Sequence, residues 1–178
     1  KAKEALLHHK KLIDEAGIKV SEVEFVGIAS PGTVNAKTGF VEYSNNIPFH
    51  NFPLAETLKR FFPIDKVYIA NDANAAALAE ALKGSAKGTN TSVMITLGTG
   101  VGGGIIVNGQ LLKGKNGAAG EMHFKLRTDK HRKCTCGAWD CFEIYCSGTG
   151  LKLTGEEMSG NPDVTTYDIV DGYKSGDD

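Results

Sequence analysis

Cysteine is missing from the first 133 residues of this 178-residue chain, and all four thiols fall within Cys134, Cys136, Cys141 and Cys146. A disulfide framework spreads its cysteines to staple distant segments. A tight cluster reads instead as a metal site in a reducing compartment, so the expected location is the cytoplasm. Positive charge has no surplus either: 20 Lys and Arg stand against 21 Asp and Glu, with no long basic block. Nucleic acid as a partner gains no electrostatic support. No apolar run approaches the ~20 residues of a membrane helix, and the longest candidate, Val93 to Val107, is interrupted by glycines and threonines. No signal peptide opens the chain. An initiating Met is lacking as well. The chain begins "KAKEALLHHKK", as if inside a helix, and ends in the polar "DGYKSGDD", so an incomplete chain is expected.

What remains is a soluble, globular composition, 41% hydrophobic and 23% charged, at a length that fits one domain or two lobes. Residues 1 to 16 carry apolar positions near a 3.6 period, with Gly17 as the C-terminal cap. "VEFVGIAS" (Val23 to Ser30) reads as a buried strand entering the turn "SPGTVN", and "GFVEYS" as a short strand. "LAETLKRFF" fits a brief helix stopped by Pro63. "VYIA" reads as a strand, and "NDANAAALAEALKG" as an alanine-rich helix ending at Gly84. This order predicts an α/β lobe over residues 1–80. A β-rich texture then opens a second lobe over 81–178, and the last eight residues have a disordered composition.

"ITLGTGVGGGIIVNGQLL" carries Gly98-x-Gly100-x-x-Gly103, the spacing of a dinucleotide fingerprint. That fingerprint needs a helix after the glycines. Here Ile105-Ile106-Val107 followed by Asn108-Gly109 predicts a hairpin instead. Its backbone N–H groups can still form an anion nest, with the Thr99 hydroxyl as a further donor. Four glycines between Gly100 and Gly104 exceed what a turn requires, which favours phosphate binding at Gly98, Thr99, Gly100, Gly102 and Gly103.

Asn71-Asp72 falls where "VYIA" meets the alanine-rich helix. Asp is a favoured N-cap, yet a carboxylate at a strand's carboxyl end also suits a base in an α/β cleft. With a phosphate loop downstream, the base is the preferred reading. Cys134, Cys136 and Cys141 offer three soft ligands for tetrahedral zinc, and His123, His131 or Cys146 can supply the fourth. Thiols at these gaps in a polar loop make poor core packing, and full coordination makes the metal structural. Glu121 and Glu143 flank the loop and could accept hydrogen bonds from a polyhydroxy ligand.

"GIASPGTVN", "VYIANDANAAALAEA", "ITLGTGVGGGIIVNGQLLKG", "GAAGEMHF" and "CTCGAWDCFEIYCSGTGL" follow one another as in ROK-family sugar kinases. The chain resembles that family, and within it the bacterial glucokinases, over roughly residues 20 to 151. The resemblance implies an actin-like, ribonuclease-H-like fold with two lobes around a cleft, both incomplete here. It implies ATP-dependent phosphorylation of a hexose, with Asp72 as general base. Gly32, Asn45, Asn71, Glu121, His123 and Glu143 would bind the sugar. Gly98, Thr99 and Gly100 would hold ATP with Mg²⁺. His123, Cys134, Cys136 and Cys141 would ligate zinc, and a homodimer is implied. The family also includes sugar-responsive repressors and kinases for N-acetylmannosamine or fructose. Two departures stand out. Glu121-Met122-His123 lacks the glycine of the family's Glu-x-Gly-His, and Asp140 stands where a glycine normally precedes the third cysteine. The family's N-terminal Asp-x-Gly-Gly-Thr loop and the part enclosing adenine have no counterpart, so this chain alone is not expected to be a competent kinase.

Overall fold

The computed structural model describes residues 11–45, 47–61 and 64–176. Its contacts divide the chain into two compact units, with the break between Ala75 and Ala76.

In the first unit, residues 11–15 are helical and the helix closes at Gly17, whose φ of +66° is the left-handed C-terminal stop expected of glycine. Residues 1–10, which complete the expected helix, lie outside the described residues. Strand β1 (Val26–Ser30) lies parallel to β5 (Val67–Asn71), in a register that sets Ser30 beside Asn71. The expected buried strand is only partly buried. Val26, Ile28 and Ser30 turn inward while Gly27 and Ala29 are exposed. Phe25 and Tyr68 pack edge to face at 6.1 Å yet stay more than half exposed. The alternation follows from the pleat, since successive side chains leave opposite faces of a strand.

Strands β2 (Thr33–Asn35), β3 (Phe40–Tyr43) and β4 (His50–Phe52) form an antiparallel sheet. Fully buried Val41 pairs with both Val34 and Phe52. β4 was not apparent in the sequence because Pro48 and Pro53 bracket it. Helix α1 (Leu54–Lys59) is shorter than "LAETLKRFF" suggests, and Phe62 and Pro63, the expected stop, lie outside the described residues.

Helix α2 (Asp72–Lys83) crosses the break between the units and buries Ala73 and Ala77, four residues apart on one face. The helix ends at Gly84 as expected, although the left-handed glycine of this segment is Gly88, at φ +84°. The helix end is closed instead by Glu80, whose Oε2 accepts from the backbone and the hydroxyl of Ser85.

The second unit opens with a three-stranded antiparallel sheet, β6 (Ser92–Leu97), β7 (Val101–Val107) and β8 (Gln110–Leu111). The hairpin reading of the glycine segment is therefore correct. Asn108 and Gly109 both have positive φ, as the tight two-residue turn between β7 and β8 requires. Three helices follow: α3 (Glu143–Cys146), α4 (Gly148–Ser159) and α5 (Thr166–Ser175). The tail predicted to be disordered contributes most of a turn and a half to α5. A capping box between Thr165 and Asp168 starts that helix and left-handed Gly176 ends it. Among the described residues, no helix is long and apolar enough to cross a membrane.

Candidate active site and metal centre

The first unit gathers Gly32, Asn45, Asn71 and Asp72. Asn71 ends β5, and its Oδ1 accepts the Asn74 backbone N–H at 3.0 Å. Asn71, not Asp72, is thus the helix cap. Its Nδ2 also donates to the Gly32 carbonyl at 3.1 Å, fastening the turn after β1 to the end of β5. Gly32 has φ +93°, and a Cβ there would meet the Tyr43 carbonyl at 2.1 Å, so only glycine fits. Asp72 is exposed, with Oδ1 accepting the Ala73 N–H at 2.9 Å. Asn45 is exposed after β3, and its Oδ1 accepts from the Tyr43 hydroxyl. Buried Asn74 Oδ1 has no partner among the described residues.

In the second unit, the turn Gly98-Thr99-Gly100 joins β6 to β7. Helix α4 holds it from one side: Gly148 N donates to the Gly98 carbonyl at 2.7 Å, and the Thr149 hydroxyl to the Thr99 carbonyl at 2.8 Å. Glu143 holds it from the other, its Oε2 accepting the Val101 N–H at 3.0 Å. These contacts occupy the Gly98 and Thr99 carbonyls and the Val101 N–H, and leave the Thr99 and Gly100 N–H groups without partners among the described residues. Gly102 and Gly103, by contrast, lie inside β7, paired with Thr96 and Ile95. A Cβ on Gly103 would meet the Gly120 carbonyl at 2.4 Å. Much of the glycine surplus is therefore close backbone packing, and the anion-nest reading narrows to residues 98–100. A Cβ on Gly100 would displace only the end of the Glu143 side chain, at 2.5 Å from Oε2.

The cysteine loop folds back through short antiparallel contacts, Lys125 against Cys141 and Lys133 against Trp139. The ligand atoms of His123, Cys136 and Cys141 all lie within 4.8 Å of one another. Cys136 and Cys141 thiols are 3.6 Å apart, and His123 Nε2 is 4.0 Å from Cys141 Sγ. Tetrahedral zinc, with bonds of ~2.0–2.3 Å, spaces its ligands by ~3.4–3.8 Å, so the set fits. Cys134 borders both thiols, its own Sγ 3.8 Å from Glu143 Oε1. The Ala138 backbone N–H brings the Cys136 thiol down to about 7, whereas burial pushes Cys141 up to about 12.

Of the other fourth-ligand candidates, His131 turns to Asp140 at 3.1 Å, and Cys146 ends α3. The expectation that these thiols would pack poorly is corrected, since Cys134 and Cys141 are buried and form a small core with Ile144. Despite the missing glycine, His123 still reaches Cys141. Met122 lies over the position where a Gly103 side chain would be. Glu121 is exposed, and its carboxylate has no partner among the described residues.

Sequence reasoning missed Arg132 and Glu157. The buried Arg132 guanidinium meets Glu157 in a two-pronged pair at 2.8 and 2.7 Å, and this pairing holds the Glu157 carboxyl down at about 2. Partners 25 residues apart, one in a loop and one on a helix, leave no local pattern. Asp140 was noticed only as a departure. Its φ of +59° explains why glycine suits that position.

The ROK family model matches residues 2–177. A glucokinase from Halalkalibacterium halodurans is 41% identical over 151 residues, covering 84% of this chain and 43% of the relative. A ROK family glucokinase from Streptomyces griseus, solved with glucose and AMPPNP, superposes with a TM-score of 0.82 at 29% identity, covering 99% of this chain and 61% of that one. A ROK family transcriptional regulator, a homologue of the E. coli MLC protein, superposes with a TM-score of 0.77 at 25% identity, covering 98% and 46%. The chain spans about half the length of the curated relatives it matches. Its mixed α/β architecture is that of ROK sugar kinases, an actin-like ATPase fold. The chain belongs to the ROK family.

Proposed function

We propose that the protein to which this chain belongs phosphorylates a hexose hydroxyl with ATP, glucose being the leading substrate, and that Asp72 is the general base. The observation that carries this reading is the division of labour at the end of β5. Asn71 does the capping, which leaves the exposed Asp72 carboxylate with an oxygen for an incoming hydroxyl. Asp72 would take the hydroxyl proton as that oxygen attacks the γ-phosphorus and ADP leaves. Such base assistance is typically worth ~10²–10⁴-fold in rate.

Sugar hydroxyls would be met by Asn45, Asn71, the Gly32 backbone, Glu121, Glu143 and His123. The N–H groups of Thr99 and Gly100, with the Thr99 hydroxyl, would face the phosphates, whose charge Mg²⁺ would neutralise. His123, Cys134, Cys136 and Cys141 would hold a structural zinc. The smaller lobe would take residues 1–80 and the larger lobe 81–178, in a cytoplasmic homodimer. A coupled assay of ATP consumption by the full-length protein across a panel of hexoses tests the reaction; no turnover with any sugar would overturn it. The match to a ROK regulator favours one second reading, a sugar-responsive repressor. The same assay separates the two, because a repressor binds sugar without consuming ATP.

A further inference from the structure

We propose that Asp140 and Arg132 form a clamp that positions the cysteine loop in its ligand-ready shape without help from the metal. The proposal rests on the zinc reading above. Small metal loops commonly owe their fold to the ion, because the ligands have nothing else to organise them. This loop has something else. Position 140 is left-handed, and aspartate there adds anchors that glycine lacks. Oδ1 accepts the Arg132 backbone N–H at 2.9 Å and the Tyr145 hydroxyl at 2.7 Å, while Oδ2 meets His131 Nδ1 at 3.1 Å. The Asp140 N–H donates to the Arg132 carbonyl, and its carbonyl accepts from Leu126.

Arg132 carries the second half of the clamp. Its side chain is only 6% exposed. Beyond the Glu157 pair it donates to the carbonyls of Ile144 and Gly150 and to the Thr154 hydroxyl, and it lies over the Tyr145 ring at 4.8 Å. A planar guanidinium satisfied on all sides fixes orientation as well as distance. Both halves therefore fasten the loop to α4 and its approach. Cys134 and Cys136 lie between residues 132 and 140, and Cys141 follows directly, so the clamp encloses two thiols and adjoins the third. His123 arrives from a more distant stretch of the chain. Such a scaffold would present three thiols together and leave the ion mainly to fix the imidazole.

The test compares the native full-length protein with D140G and D140N, before and after metal stripping. Glycine is at ease at positive φ, so D140G keeps the backbone path and removes only the carboxylate anchors. Asparagine keeps an Oδ1 acceptor and should track the wild type. Trypsin reads the loop directly, since Lys130, Arg132 and Lys133 lie in it. Stripped wild type and D140N should resist cleavage there, while stripped D140G is cut about tenfold faster or more, as expected when both hydrogen bonds to the position-140 oxygen are lost together. Zinc affinity, measured by competition with a chelating dye, should fall about 10–100-fold in D140G. Equal cleavage of stripped wild type and D140G, or D140N behaving as D140G, overturns the clamp. Absence of zinc binding in every form would sink the zinc reading alone, and the trypsin comparison would still decide the clamp.

Discussion

Asn71 Oδ1 accepts the helix N–H of Asn74, whereas its neighbour Asp72, among the described residues, accepts only from the adjacent Ala73. Two adjacent polar residues at a helix start usually compete for the same orphan N–H groups. Here the amide takes the structural bond and the carboxylate is left at the strand's carboxyl end. The arrangement suits a base, because the second Asp72 oxygen accepts no bond among the described residues.

Replacing Asp72 with Asn keeps the size and the Ala73 contact while removing basicity. Phosphorylation by the full-length protein should fall by at least ~10²-fold, while glucose binding measured by calorimetry persists. Undiminished turnover would remove Asp72 from the mechanism.

Packing against Gly120 constrains Gly103. Substitution by Ala places a methyl 2.4 Å from the Gly120 carbonyl, backbone against backbone, with Met122 alongside. Overpacking of this kind costs ~1–3 kcal/mol, and thermal denaturation should show a lowered Tm. An unchanged Tm would return Gly103 to the list of phosphate-binding candidates.

Metal analysis of the purified protein should find about one equivalent of zinc per chain. H123A and C136S should each weaken its retention against a chelator, because each removes one member of the set within 4.8 Å. Full retention in both variants would mean that the ion, if present, sits elsewhere.

Glu157 gives the second unit an acid limit. Its carboxyl is held at about 2, against an ordinary 4.5, first by the Arg132 hydrogen bond and then by Lys130. A depressed folded pKa stabilises above the unfolded value and loses that contribution as pH falls. The loss should therefore run from about 4.5 down to about 2. Acid titration of metal-stripped protein followed by circular dichroism should show a shallower slope in this window for E157Q. Matching slopes would separate the pair from acid stability.

Much of the site was legible in local sequence because its signals are local. β-branched residues followed by Asn-Gly announced a strand and a tight turn, and the structure has both. Crowded thiols beside histidines announced a cluster, and three of the groups meet. What local sequence could not weigh was competition between neighbours: whether Asn71 or Asp72 would cap, and which histidine would turn toward the thiols.

The sequence by itself determined the alternation of strands and helices, the hairpin that ruled out a dinucleotide fold, and the residue types available for chemistry. Those follow from side-chain periodicity and turn preferences, which act over a few residues. Tertiary structure decided what each group is free to do. Gly103 is glycine because Gly120 passes against it, Asp140 holds its left-handed backbone because Arg132 and Tyr145 anchor its carboxylate, and Arg132 is buried because Glu157 waits 25 residues along the chain. Such constraints come from close approach and desolvation between distant segments, and they exist only once the chain has folded.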